Sequence, residues 1–86
     1  MQPVKIYLTR FCPYCHAAKN LLSKEGIPFE EIDLTDTPQE LQALKQRTGQ
    51  RTVPQIFIGE EMIGGFDDLN QLHQSGQLAS LLGRDS

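Results

Sequence analysis

The stretch Val4-Lys5-Ile6-Tyr7-Leu8-Thr9-Arg10-Phe11-Cys12-Pro13-Tyr14-Cys15 decides how this chain folds, because its hydrophobic period changes within it. Val4, Ile6 and Leu8 alternate with Lys5 and Tyr7, which predicts a strand with one apolar face. From Pro13 to about Lys24 the apolar residues Ala17, Ala18, Leu21 and Leu22 fall on one side at helical spacing, and Gly26 and Pro28 end the run. The only two cysteines of the chain stand at the junction, so the first helix begins on them.

Working outward, Phe29-Glu30-Glu31-Ile32-Asp33-Leu34 reads as a second, more polar strand, placed at a sheet edge because its carboxylates would not all tolerate burial. Thr37-Pro38-Gln39-Glu40 matches a capping box with proline at the first helical position, and the helix it opens runs to Thr48 and stops at Gly49. Gln55-Ile56-Phe57-Ile58 is apolar on both faces and predicts a buried strand, turned by Gly59-Glu60-Glu61 into a hairpin partner at Met62-Ile63. Gly64-Gly65 breaks that partner, Asp67 is placed to cap a third helix carrying Leu69 and Leu72, and Leu78, Leu81 and Leu82 suggest a last helical segment.

The order β-α-β-α-β-β-α implies an α/β fold. A right-handed crossover makes the first two strands parallel, and the hairpin adds two antiparallel strands to form a mixed four-stranded sheet flanked by helices. In such sheets the working crevice lies beyond the carboxyl ends of the parallel strands, where Cys12 falls.

The 86 residues amount to one domain, residues 1–86, with no repeats or linkers. A net charge of -3 removes the basic excess that would favour nucleic acid or an acidic membrane. No run approaches a membrane span and no export signal is visible, so a reducing cytoplasm is the expected setting. Paired cysteines there are more often catalytic or metal-binding than structural.

Placed at the helix entrance, Cys12 meets the free N–H groups of the first turn and the positive end of the helix dipole, which favours a thiolate. Thiols in this setting ionise at roughly pH 3.5 to 7.5 instead of about 8.5. Cys15, three residues on, lies deeper on the same face, so Cys12 is expected to attack disulfides and Cys15 to resolve the mixed disulfide. Arg10 either adds positive charge beside Cys12 or is an ordinary loop arginine. Zinc would need two ligands beyond the cysteines, and besides carboxylates only His16 and His73 are available. Cys12-Pro13-Tyr14-Cys15-His16 also fits the haem attachment pattern literally, but it lies inside a βαβ unit; an inert buried pair is the third competing reading.

Two further segments carry chemistry. Thr52-Val53-Pro54 precedes the buried strand and leaves Val53 backbone groups for an extended peptide, while the isomer of the bond before Pro54 stays open. Gly64-Gly65-Phe66-Asp67-Asp68 sets flexible backbone before a helix N-terminus, suited to a carboxylate, with Asp67 or Asp68 able to take an ammonium; a hairpin exit with an aspartate cap explains the same residues.

In this order the three segments resemble the glutaredoxins of the dithiol, Cys-Pro-Tyr-Cys class, over essentially the whole chain. Thioredoxins differ in having tryptophan before the first cysteine and Gly-Pro between the pair, where this chain has Phe11 and Pro13-Tyr14. The resemblance implies a thioredoxin-like fold, a cis Pro54 facing Cys12, and glutathione as electron donor with no metal. It implies that Tyr14, Thr52, Val53, Pro54, Gly65, Phe66, Asp67 and Asp68 bind glutathione: Val53 on its cysteinyl part, the Phe66 and Asp67 N–H groups on its γ-glutamyl carboxylate, and Asp67 or Asp68 near its ammonium. Many relatives place a lysine for the glycine carboxylate where this chain has Thr9; Arg10 or Arg51 is the expected substitute. The implied activity is reduction of protein disulfides and glutathione mixed disulfides by a monomer, with ribonucleotide reductase a family client and thioredoxin reductase an alternative electron source. Other members hold an iron-sulfur cluster between two subunits through the first cysteine and glutathione, which is the alternative function.

Overall fold

The computed structural model describes residues 2–83. Its elements run β1 (Val4–Leu8), α1 (Pro13–Lys24), β2 (Glu30–Asp33), α2 (Pro38–Thr48), β3 (Gln55–Ile58), β4 (Glu61–Gly64), α3 (Phe66–Gln74) and α4 (Gln77–Leu82). The sheet order is β2-β1-β3-β4, with β1 parallel to β2 and antiparallel to β3, and β3 antiparallel to β4. This is the mixed four-stranded sheet expected, with polar β2 at one edge.

The alternation in β1 separates two layers. Val4, Ile6 and Leu8 pack with Ile56 and Ile58 of β3, Ala18 and Leu22 of α1, Leu69 of α3, and Leu78 and Leu82 of α4 in one core. Each large apolar side chain so buried contributes about 1.5 to 3 kcal/mol before entropy is counted. On the other face Tyr7 meets Phe57 edge-on at 5.4 Å between ring centres. There α2 covers the sheet with Leu44 as its one buried residue, leaving a gap of about 280 Å³ bordered by Tyr7, Ile32, Leu34, Ala43 and Leu44.

Three expected details differ. Thr37 is the N-cap of α2, but its side chain makes no capping bond; at ψ 67° its backbone falls short of the extended setting that aims a cap hydroxyl at the first turn. The third helix begins before Asp67: Gly65 is the N-cap, and the Asp68 carboxylate accepts the Gly65 N–H at 3.1 Å. Gly64 makes that early start possible, since it closes β4 at φ +127°, and a β-carbon there would overlap the Asp68 carboxylate. Lastly, β2 is shorter than Phe29–Leu34, although Leu34 still donates its N–H to Leu8 at 2.9 Å.

Candidate active site

The β1–α1 junction fixes the cysteines at different depths. Cys12 is the N-cap of α1, with extended backbone (φ -115°, ψ 110°), and its Sγ accepts the N–H of Cys15 at 3.2 Å. A donor aimed at sulfur stabilises the thiolate more than the thiol. In the protonated state the Cys12 S–H donates to the Val53 carbonyl, 3.5 Å away. Pro13 at the first helical position costs the helix no hydrogen bond.

Cys15 is 1% exposed. Burial pushes its thiol up to about 12, and its hydrogen bond to Cys12 adds to the shift, while a backbone hydrogen bond from Thr9 opposes it. The pair is therefore asymmetric: a part-buried sulfur at the surface, and a protonated thiol beneath it. Both cysteines are free.

A groove of about 370 Å³ opens beside Cys12. Tyr14 of α1 forms one side; Thr52, Val53 and Pro54 form another; Gly65, Phe66, Asp67 and Asp68 close the third. The Val53–Pro54 peptide bond is cis, as the resemblance implied. Tyr14 and Phe66 join the walls with ring centres 6.4 Å apart. Among the first-turn N–H groups of α3, that of Gly65 is taken by Asp68, whereas helix geometry leaves Phe66 and Asp67 without intrahelical acceptors. The groove thus offers backbone donors at a helix start, carboxylates beside them, an aromatic side and the Val53 backbone near sulfur. That set suits a small zwitterionic peptide bearing a sulfur. A larger depression of about 700 Å³ lies against β4, α3 and α4 and contains neither cysteine.

Eight of the nine expected ligand-binding residues line this groove, and Arg10 does not. Arg10 turns to the end of β2, where its guanidinium pairs with Asp33 at 3.3 Å and with Asp36, while its N–H donates to the Thr35 hydroxyl at 2.9 Å. Hydrogen bonds from the Thr35 hydroxyl and N–H, with Arg10 nearby, hold the Asp33 carboxyl below its usual range. Thr9 and Arg51 are also absent from the groove lining, while Gln50, which the sequence reading passed over, is part of it. Its position two residues before Thr52 was the available signal. His16 is exposed, with Nε2 2.9 Å from the Arg10 carbonyl. Among the described residues no cluster of three His, Cys, Asp or Glu side chains is arranged to hold a metal ion.

Comparison with known proteins agrees with this geometry. The glutaredoxin family profile matches residues 4–63. A glutaredoxin of Pseudomonas aeruginosa is 48% identical over 82 residues, spanning 95% of this chain and 98% of the relative. Glutaredoxin 3 of Escherichia coli is 45% identical over 82 residues, spanning 95% and 99%. Among solved structures, the buckwheat glutaredoxin-glutathione complex superposes with a TM-score of 0.87 at 36% identity, covering 95% of this chain and 77% of that one. The solution structure of Brucella melitensis glutaredoxin gives 0.85 at 44% identity, covering 100% and 96%. The sheet order and helix layers are accordingly those of the thioredoxin-like fold. With a dithiol at a helix entrance, a groove beside it and this degree of likeness along its whole length, the chain belongs to the glutaredoxin family.

Proposed function

We propose that this protein is a glutathione-dependent thiol-disulfide oxidoreductase that reduces glutathione mixed disulfides through Cys12 and protein disulfides through Cys12 and Cys15. The observation that carries the reading is the groove against Val53, whose carbonyl lies 3.5 Å from Cys12 Sγ, with the α3 N-terminus on its far side. A glutathionyl group fits those features: its cysteinyl backbone on Val53, its γ-glutamyl carboxylate on the Phe66 and Asp67 N–H groups, and its ammonium near Asp67 or Asp68. That the buckwheat relative was solved as a glutathione complex supports glutathione as the occupant.

With a glutathione mixed disulfide, the Cys12 thiolate attacks the glutathionyl sulfur, forming a Cys12-glutathione disulfide and expelling the substrate thiolate, which takes a proton from water. A second glutathione thiolate then attacks the glutathionyl sulfur, giving oxidised glutathione and restoring Cys12. With a protein disulfide, Cys12 forms a mixed disulfide with one substrate sulfur and the other leaves as thiol. Cys15 then attacks Cys12, its proton passing to the departing thiolate, and two glutathione molecules reduce the resulting Cys12–Cys15 disulfide. Burial, together with the hydrogen bond to Cys12, keeps the Cys15 thiol protonated in the resting fold, so it gives up that proton only as it attacks the mixed disulfide.

The reading places the protein in a reducing cytoplasm, where thiol pools keep such pairs reduced. The test is glutathione-coupled reduction by Cys12→Ser and Cys15→Ser. Cys12→Ser is expected to lose both activities, while Cys15→Ser keeps deglutathionylation and loses reduction of protein disulfides. Equal tolerance of the two changes overturns the assignment, and a brown, visibly absorbing dimer on purification would favour a cluster-carrying role instead.

A further inference from the structure

Gln55 is the one fully buried polar side chain among the described residues, at 0% exposure. A buried amide is costly unless each of its groups finds a partner. Here Nε2 donates to the Gln50 carbonyl at 3.0 Å and to the Thr52 carbonyl at 3.2 Å, while Oε1 accepts from the Thr48 hydroxyl at 2.8 Å. The sense of the amide follows from chemistry, since only its nitrogen can serve two carbonyls. The same Thr48 oxygen accepts the Gln50 N–H at 3.2 Å. Gln50 is therefore held at both its N–H and its carbonyl, in a ring that passes through Thr48 and Gln55.

An apolar side chain would fill this space on the sheet without needing partners, so volume does not explain the glutamine. What the amide does is hold the segment from Gln50 to Thr52, of which both ends line the groove and lead directly to Val53. That wall has no strand or helix of its own to keep it in place.

We infer that Gln55 is a positioning residue: it does not line the groove, but it sets the distance of the wall 50–53 from Cys12 and from the start of α3. The inference rests on the groove being a glutathionyl site. The Cys15 N–H that faces Cys12 Sγ belongs to α1 and lies outside the Gln55 ring, so that donor stays in place when the ring is broken.

The test compares the wild-type protein with Gln55→Met, which keeps the volume and removes the amide's hydrogen bonds, and with Thr48→Val, which removes the hydroxyl's bonds to Gln55 Oε1, the Gln50 N–H and the Leu44 carbonyl but keeps the amide's bonds to the Gln50 and Thr52 carbonyls. The substrate is a glutathionylated peptide, assayed well below the melting temperature of each variant. With the amide's three bonds lost, KM is expected to rise about 5- to 20-fold in Gln55→Met, and about 2- to 4-fold in Thr48→Val, which keeps the two carbonyl contacts, with kcat within about twofold. A folded Gln55→Met with wild-type KM overturns the proposal, as does a lowered melting temperature with unchanged KM. If Gln55→Met does not fold, an unchanged KM in Thr48→Val overturns it. A wild-type protein without saturable activity on the peptide overturns the glutathionyl reading and this inference together, whereas an active wild type matched by its variants overturns this inference alone.

Discussion

Cys15 supports Cys12 with its backbone and withholds its own side chain: the N–H reaches Cys12 Sγ at 3.2 Å, while the thiol lies buried at 1% exposure. Alkylation should therefore discriminate sharply between them. Brief treatment of the reduced protein with iodoacetamide near pH 7, read by peptide mass spectrometry, is expected to label Cys12 at least about tenfold faster than Cys15. Comparable labelling of both in the folded protein would contradict the assigned depths.

The same burial ties stability to alkaline pH. In the unfolded chain the Cys15 thiol ionises near 9.0, whereas in the fold it stays protonated up to about 12. Between those values the folded state binds more protons than the unfolded one, so stability falls as pH rises through that window and is fully retained below it. Cys15→Ala, which has no thiol to ionise, should show a shallower decline between pH 9 and 11 in denaturant titrations than the wild type does.

Arg10→Ala should leave the groove intact. Its guanidinium pairs with Asp33 and Asp36, away from the groove lining. KM for a glutathionylated peptide is expected to stay within about twofold of wild type, and stability to fall by less than about 1 kcal/mol, as for exposed ion pairs. A tenfold rise in KM would return Arg10 to the binding site.

Gly64→Ala should destabilise the fold by about 1 to 3 kcal/mol, since it places a side chain in a left-handed conformation. Part of that cost is overlap with the Asp68 carboxylate. Asp68→Ala alone removes the bond to the Gly65 N–H and should cost about 1 kcal/mol, as lost helix caps do. In the double variant the two losses should sum to more than is observed, a coupling that thermal denaturation of all four proteins would measure. Strict additivity would mean the overlap is relieved elsewhere.

Much of this molecule was legible in its sequence where local pattern and tertiary demand agree. Alternation in Val4–Leu8, the helical spacing that brings in Ala18 and Leu22, and the apolar run at Ile56–Ile58 meet in the core on one face of the sheet. The groove was legible because its walls are short contiguous segments, Thr52–Pro54 and Gly65–Asp68. Signals that depend on the angle of the chain were less reliable: Thr37 has the right residue for a cap but the wrong ψ, and Asp67 yielded the cap to Gly65 because Gly64 turns the chain early. Partners distant in sequence were not legible at all. Nothing near Arg10 announces Asp33 or Asp36, more than twenty residues away, and a glutamine heading an apolar strand does not reveal which carbonyls its amide will meet.

The shallow seat of α2, with Leu44 as its only buried residue, has a consequence for how the molecule fluctuates. Helices secured so lightly open locally at a fraction of the cost of global unfolding, and their amide protons exchange accordingly. Because Thr48 in its last turn bonds to both Gln50 and Gln55, each such opening also slackens one wall beside Cys12. An occupant that requires the wall in place will slow deuterium uptake in α2, so the least secured helix becomes the reporter of a site it lies outside.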